Sequence, residues 1–412
     1  LRRLVSEMTS NRINTTILIK NNNTMNKIFK YSMMFAATLT FALGATSCSD
    51  DNNDDHVGTF GTNELKEVNA DYVDNTIVAT YRNLANYNKV LMADINAMTD
   101  DAGVAKACDT WRLSRKWWEF SEAFLFGAAG DYNIDPHTDT WPFDKTQFEN
   151  YMNLYKNLQL GGEGEENEAA TANIDEAITT GQNLTGFHAV EYLIFRNGLP
   201  RHFADLTPNE IYFAKAAARD LYISSLKLVS AWGGNVSADE QALLDEVEFA
   251  SSINYGKNFK NAGNAGSTYS TTVLASKEII AGAKEIIGEV RDSKIGAPAT
   301  GEDTNYIESP HARNSIQDFY DNIMSCKHAL YGGCTVDGAT PKDKSLIGIC
   351  LKNAKTKAAA QNVMVSLENA LNKIDTMKRP FVLYYTHQSA KDAMTALDGL
   401  EESLNALNDL LD

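Results

Sequence analysis

Residues 186–195 read GFHAVEYLIF, a mostly apolar decamer that contains one imidazole and one carboxylate. His188 and Glu191 lie three residues apart, so on a helix both side chains project from the same face. A buried carboxylate needs a partner, and imidazole with carboxylate is a common metal-binding pair. Spacing alone leaves two interpretations open: a metal site, or two core polar groups that hydrogen-bond to each other and to neighbouring helices.

The decamer is similar to the GxHxxE motif of the imelysin-like family, which is also classified as peptidase family M75. Gly186, His188 and Glu191 occupy the three fixed positions of that motif. Residues 111–127 (WRLSRKWWEFSEAFLFG), followed by DTWP at residues 139–142, resemble the N-terminal block of the family.

A third block, residues 309–322 (SPHARNSIQDFYDN), resembles the C-terminal block of the same family. The resemblance extends over residues 64–412. It implies an all-α fold of two helical bundles that are related as a distant internal duplication. It also implies a part in iron acquisition, with a component of an iron-uptake transporter as a possible partner.

The residues themselves also predict an all-α protein, because apolar positions recur at helical spacing and strand patterns are nearly absent. Capping boxes at Thr207 and Ser237 predict two helix starts. The segment 261–267 (NAGNAGS) is the best candidate for a domain boundary. We therefore expect two bundles of about four helices each, over residues 63–260 and 268–412.

Loops are predicted where Gly, Asp and Pro cluster. Residues 127–143 and 293–306 are expected to be loops of this kind. A helix is expected to start at Ser309-Pro310, with the serine as its cap.

Most of the first 62 residues are expected to precede the folded part. Residues 1–24 have the character of a mistranslated leader. Residues 25–47 have the character of a signal peptide, with a basic start and a short apolar segment. Cys48 follows a loose lipobox and is the predicted lipidation site; an ordinary signal peptide is the alternative. Residues 48–62 are an acidic tether, typical of surface export or of a periplasmic spacer. We thus expect an exported, outer-membrane lipoprotein.

The net charge bears on the class of binding partner, and the cysteine content bears on disulfide formation. The formal net charge of −17 argues against nucleic acid and is compatible with a cation. No apolar run reaches transmembrane length. The cysteines other than Cys48 leave the disulfide pairing open; they are Cys108, Cys326, Cys334 and Cys350.

Further ligand candidates lie in the aromatic N-terminal block. Glu119 and Glu122 are costly to bury among aromatic side chains without partners. Arg115 lies one helical turn from Glu119, so a half-exposed ion pair is the alternative interpretation. The resemblance favours Glu122 and Glu119 as metal ligands beside the His–Glu pair. One imidazole with two or three carboxylates suits iron or zinc, free or as a metal complex.

The remaining candidate site residues lie in the C-terminal block and in the DTWP segment at residues 139–142. Arg313 and Asp318 are candidates for the opposite wall of a cleft between the bundles. His311 is expected to be a solvated residue near a helix cap. Asp139 is expected to anchor its loop rather than to bind metal.

No hydrolase motif such as HExxH, GxSxG or a phosphate-binding loop occurs in the chain. We expect a protein that binds a metal, foremost iron, and assists its uptake. One alternative is an M75-type metal-dependent endopeptidase, in which Glu191 would polarise a metal-bound water. A second is a docking module that binds no metal.

Overall fold

The computed structural model describes residues 59–335 and 340–412, so the predicted leader, signal peptide, Cys48 and most of the tether lie outside the described residues. The helices of the first half are α1 (Thr62–Asp71), α2 (Val78–Asn96), α3 (Asp101–Glu119), α4 (Ala128–Asp131), α5 (Ile134–Asp139), α6 (Lys145–Leu154), α7 (Glu165–Thr180), α8 (Gly186–Ile194), α9 (Pro208–Ala231), α10 (Ala238–Glu246) and α11 (Tyr255–Lys260).

The second half is also helical. Its helices are α12 (Thr272–Glu289), α13 (Ala297–Thr300), α14 (Ser315–Tyr331), α15 (Leu346–Lys352), α16 (Lys357–Asp375), α17 (Phe381–Tyr384) and α18 (Gln388–Asn408). Shorter elements are the π-helical segments Tyr72–Ile77 and Val290–Gly296, the 3₁₀ turns Glu122–Phe124 and Phe203–Asp205, and the strands β1 (Phe195–Arg196) and β2 (Leu199–Pro200).

Two four-helix bundles account for the long helices, as predicted. In the first half, α2 packs on α3 and α9, and α8 packs on α3 and α9. In the second half, α14 packs on α12 and α16, and α18 packs on α12 and α16. Each half also opens with a long helix that includes a π-helical segment. The all-α, two-bundle prediction is confirmed.

The bundles meet closely, and all described residues belong to one compact unit. Helix α3 packs on α14, and the turn Glu122–Phe124 contacts both α12 and α14. A Cβ on Gly282 would lie 2.1 Å from the Ala123 carbonyl oxygen, so a glycine is required for this turn to approach α12. Residues 261–267 form turns between the bundles, and their role as a domain boundary stays a prediction.

Both predicted capping boxes are confirmed. Thr207 and Ser237 each accept a hydrogen bond from a backbone N–H three residues on, and Glu210 and Glu240 reciprocate. Such caps satisfy backbone groups that a helix terminus would otherwise leave unpaired, and each stabilises by about 1 kcal/mol.

Three local predictions are wrong. Residues 127–143 include the short helices α4 and α5, and the predicted loop at 293–306 begins with the π-helical segment and α13. Helix α14 starts at Ser315 because Ser309 has a φ of +46° and so cannot begin a right-handed helix.

Two further observations concern the described residues. Cys108, Cys326, Cys334 and Cys350 are all free thiols. No helix in the described part of the chain is both long and apolar enough to cross a membrane.

Candidate functional site

Gly186 begins α8 and packs directly against α5. Its φ is +75°, and a Cβ there would lie 2.1 Å from the Thr138 carbonyl oxygen. Only glycine fits, because a side chain would both strain the backbone and push the two helices apart. The contact places Asp139, the last residue of α5, beside the first turn of α8.

His188 and Glu191 are buried and hydrogen-bonded to each other. His188 Nδ1 lies 3.0 Å from Glu191 Oε2. The second oxygen, Glu191 Oε1, accepts hydrogen bonds of 2.7 Å from the backbone N–H groups of His311 and Ala312. Because the carboxylate can only accept, His188 Nδ1 carries a proton and its ring is held in one orientation. Glu191 therefore ties the first bundle to the C-terminal block.

The other ring nitrogen of His188 faces Asp139. His188 Nε2 lies 3.2 Å from Asp139 Oδ1 in an ion-pair contact, and Nε2 makes no hydrogen bond with any other described residue. The second oxygen of Asp139 accepts from Trp118 Nε1 at 2.8 Å. One imidazole nitrogen is thus fixed while the other is directed at a carboxylate.

Arg115, which is fully buried, lies at the centre of the same cluster. Its guanidinium pairs with Asp139 and Glu119, and lies 2.7 Å from Glu308. Asp318 is 3.9 Å from Arg115 Nε. These acids come from both bundles, so the arginine joins the two halves as well as neutralising part of their charge.

Lys294 is the second buried cation. It is 0% exposed and lies 3.0 Å from Glu308 and 3.8 Å from both Glu119 and Glu289. Its ammonium also stacks over the Trp141 ring at 5.1 Å. We call Arg115, Glu119, Asp139, His188, Glu191, Lys294, Glu308 and Asp318 the central cluster.

Glu122 lies at the edge of the central cluster. It is 7% exposed, and its carboxylate makes no hydrogen bond or close ion pair with any described residue. Oxygens of Glu122, Glu119 and Asp139 lie within 4.8 Å of one another. Burial raises the pKa of Glu122 well above its usual value, although the charge of Lys294 opposes that shift.

The histidine and its two partners hold their charges. Burial alone would lower the pKa of His188, but the carboxylates of Asp139 and Glu191 outweigh it and raise that pKa to about 9. Burial likewise opposes ionisation of Glu191 and Asp139, yet His188 lowers the pKa of Glu191, and Arg115 with His188 lowers the pKa of Asp139.

The pKa values of other carboxyl groups at the site are raised, which favours their neutral forms. Burial raises the pKa of Glu119 well above its usual value, despite Arg115 and Lys294. Burial also raises the pKa of Asp318, and that of Glu289 beside the cluster, to about 7. The site holds more carboxyl groups than cations, which favours either protons or an additional cation.

Two sets of side chains could hold a metal ion. Ligand atoms of Asp139, His188 and Glu308 lie within 4.8 Å of one another, and so do those of Asp139, Glu119 and Glu122. His188 Nε2 and Glu308 Oε2 are buried without hydrogen-bond partners among the described residues, whereas Glu119 Oε1 pairs with Arg115. Imidazole and carboxylate donors of this kind fit iron or zinc.

The structure brings together most of the residues that the sequence singled out. His188, Glu191, Glu119, Arg115 and Asp318 all belong to the central cluster. Gly186 lies beneath it and Glu122 at its edge. The predicted Arg115–Glu119 ion pair exists, but it is fully buried rather than half-exposed.

Arg313 is not brought into the cluster. It is exposed and has a φ of +55°. Its side chain packs against Gly198 in the β1–β2 turn, where a Cβ would lie 2.9 Å from the arginine. His311 is half-buried rather than solvated, and its backbone N–H donates a hydrogen bond to Glu191.

Sequence reasoning missed three members of the cluster. Asp139 was assigned to loop anchoring, whereas it is buried and contacts Arg115 and His188. Glu308 directly precedes the C-terminal block, a position that could have drawn attention to it. Lys294 lies in a segment that was predicted to be a loop, and nothing in its local sequence signals burial.

Fold and site together define a class: all-α proteins in which two four-helix bundles enclose a buried histidine–carboxylate cluster. The sequence profile of the imelysin family, Peptidase_M75, matches residues 77–411. The chain belongs to the imelysin family.

Comparisons with individual proteins agree with this assignment. The chain is 26% identical over 271 residues to "Iron-regulated protein A" of Synechococcus elongatus, and the match covers 65% of this chain and 64% of that protein. The crystal structure of an iron-regulated protein A precursor from Parabacteroides distasonis superposes with a TM-score of 0.71 at 23% identity, covering 87% of this chain and 98% of the other.

A second solved structure is more distant. An imelysin-like protein from Psychrobacter arcticum gives a TM-score of 0.53 at 10% identity, covering 85% of this chain and 94% of the other. At these identities the two structures show a shared fold only.

Proposed function

We propose that this protein binds a metal ion, foremost iron, at the central cluster and serves as an accessory in iron uptake. One observation carries the proposal. Glu191 fixes the buried imidazole of His188 so that its Nε2 faces Asp139 Oδ1 at 3.2 Å, with Glu308 in the same group of ligand atoms.

The cluster assigns different tasks to its members. His188, Asp139 and Glu308 are the proposed ligands, with Glu119 and Glu122 as carboxylates of a neighbouring group that shares Asp139. Glu191 would orient the imidazole rather than ligate, because both of its oxygens already accept hydrogen bonds.

Iron is favoured by donor chemistry and by similarity. The donor set has carboxylates and one imidazole but no thiolate, which suits iron, with zinc as the other candidate. The cyanobacterial relative carries the name iron-regulated protein A. A transporter component or another uptake protein is the proposed partner.

The geometry does not favour the peptidase alternative. Glu191 would have to polarise a water molecule, but both its oxygens already accept hydrogen bonds. His188 is only 2% exposed, so a peptide substrate could not reach it without a rearrangement.

We also propose that the protein is exported and anchored to the outer membrane through a lipid on Cys48, facing either the cell surface or the periplasm. The motivation is the apolar segment before Cys48 and the acidic run after it. The intact mass of the protein from its native membrane tests this, because lipidation requires cleavage before Cys48 and an added acyl mass.

The metal-binding proposal is tested by metal content. The protein, purified without chelator and offered Fe²⁺ or Zn²⁺, is expected to retain about one or two metal ions per chain, as one or both ligand groups fill. His188→Ala should abolish retention, whereas His202→Ala, which removes an exposed histidine paired with Asp101, should not. Equal metal content in the wild type and His188→Ala would exclude the proposed ligand set.

A further inference from the structure

Lys294 is a buried ammonium that contacts acids of both candidate ligand groups. Its Nζ lies 3.0 Å from Glu308, which belongs to the histidine-containing group, and 3.8 Å from Glu119, which belongs to the all-carboxylate group. Glu122 of the second group also interacts electrostatically with it. The lysine therefore supplies positive charge where a bound metal ion would supply it.

Glu308 shows this sharing most clearly. Its Oε1 contacts both Arg115, at 2.7 Å, and Lys294, at 3.0 Å, while its Oε2 has no hydrogen-bond partner among the described residues. One oxygen is thus neutralised by protein cations while the other remains available. A metal ion bound by Glu308 would repel the nearby ammonium, because like charges at such distances interact strongly where water is excluded.

A second carboxylate, outside the two candidate ligand groups, lies near the Lys294 ammonium. Glu289 lies 3.8 Å from Lys294 Nζ, and its side chain is 24% exposed, whereas Glu119 and Glu308 are fully buried. Lys294 also belongs to the π-helical segment Val290–Gly296. π-helical turns have wider hydrogen-bond spacing than α-helices and recur at functional sites. A small movement toward Glu289 would carry the ammonium outward without leaving it unpaired.

We propose that Lys294 is a built-in counter-ion that holds the metal-free cluster together and is displaced toward Glu289 when a metal ion binds. This inference rests on the proposed metal-binding function. It adds that binding is an exchange of cations: the ammonium leaves the carboxylates that the metal ion takes. The wild-type affinity is accordingly lower than the ligand set alone would give.

The test compares Zn²⁺ affinity and thermal stability between the wild type and Lys294→Met. The substitution keeps a side chain of similar length and removes its charge. Metal-free Lys294→Met should unfold at a lower temperature than the wild type, because its carboxylates lose a partner. It should bind Zn²⁺ about ten-fold more tightly, because the competing charge is absent. Lys327→Met is the matched control: Lys327 is 9% exposed and pairs with Glu368 at 2.6 Å, away from the cluster.

A second variant separates displacement from simple ligation. Glu289→Gln should weaken Zn²⁺ binding in the natural chain, because the displaced ammonium loses its partner, but not in the Lys294→Met background. Weakening in both backgrounds would make Glu289 a ligand and overturn the inference. If Lys294→Met does not fold, Lys294→Gln replaces it in both comparisons, and unchanged Zn²⁺ binding in Glu289→Gln overturns the exchange by itself.

Failure of this inference is distinguishable from failure of the proposed function. Zn²⁺ binding that needs His188 but is unchanged or weaker in Lys294→Met overturns only the cation exchange. A wild-type protein that binds no Zn²⁺ overturns both.

Discussion

At the scale of single residues, the site depends on which nitrogen of His188 carries a proton. Glu191 accepts from Nδ1, so Nε2 is the nitrogen that can ligate once it loses its own proton. The backbone N–H groups of His311 and Ala312 fix the carboxylate in turn. The HxxE spacing therefore lets Glu191 orient the imidazole of His188 while its carboxylate accepts from backbone N–H groups of the second bundle.

Glu191→Gln should impair metal binding while the protein remains folded. The glutamine oxygen can still accept from the two backbone N–H groups, but its amide would donate to His188 Nδ1. That donation places the histidine proton on Nε2 and blocks the proposed ligand. We expect metal affinity to fall about 10- to 100-fold, as for other residues that orient a metal-binding histidine.

Titration with Zn²⁺, beside thermal unfolding of the metal-free variant, checks this prediction. Glu210→Gln is a suitable control, because Glu210, like Glu191, accepts from a cationic side chain (Arg201, at 3.0 Å) and from a backbone N–H, and it caps its own helix outside the central cluster. Unchanged affinity in Glu191→Gln would show that Nδ1 orientation is irrelevant to binding.

At the scale of helices and turns, local signals were predicted well and long-range contacts were not. The capping boxes and the GxHxxE motif are encoded within a few residues, so the sequence identifies them directly. The start of α14 was misplaced because residues 311 and 312 direct their N–H groups to Glu191 rather than to a helix cap. That partner is 120 residues away in the chain.

The π-helical segment Val290–Gly296 illustrates the same limit. Its sequence, VRDSKIG, has no apolar periodicity and precedes a proline at residue 298, so a loop was the natural prediction. Burial of Lys294 is stabilised by Glu308 and Glu119. Neither acid is recognisable as a partner until the bundles are packed together.

At the scale of the whole molecule, the interface between the bundles holds a surplus of acidic groups. Burial raises the pKa of Glu119 and Glu122 well above the usual value, and raises the pKa of Glu289 and Asp318 to about 7. The pKa of His188 is raised to about 9. Between about pH 4 and pH 9 the folded state therefore binds more protons than the unfolded state.

Stability of the metal-free protein should consequently fall as the pH rises through this range. Each group with a raised pKa contributes fully below its unfolded pKa and loses that contribution as the pH passes its folded pKa. Asp139 and Glu191, whose pKa values are lowered, act oppositely and lose their contribution only in stronger acid. We expect maximal stability at about pH 4, at the lower end of this range.

Urea unfolding midpoints measured in chelator at pH 5, 7 and 9 test this expectation. A midpoint that rises steadily from pH 5 to pH 9 would contradict it. Added metal should restore more stability at pH 9 than at pH 5, because the bound cation replaces protons that the carboxylates and His188 have lost.

Anomalous X-ray diffraction from crystals soaked with Fe²⁺ or Zn²⁺, collected at the metal absorption edge, tests the central claim most directly. The account predicts a peak bounded by His188 Nε2, Asp139 and Glu308, at about 2.0–2.2 Å from its ligand atoms. It predicts no such peak in His188→Ala. A protein that takes up metal with the peak elsewhere, or that leaves these three side chains without metal at saturating concentration, would contradict it.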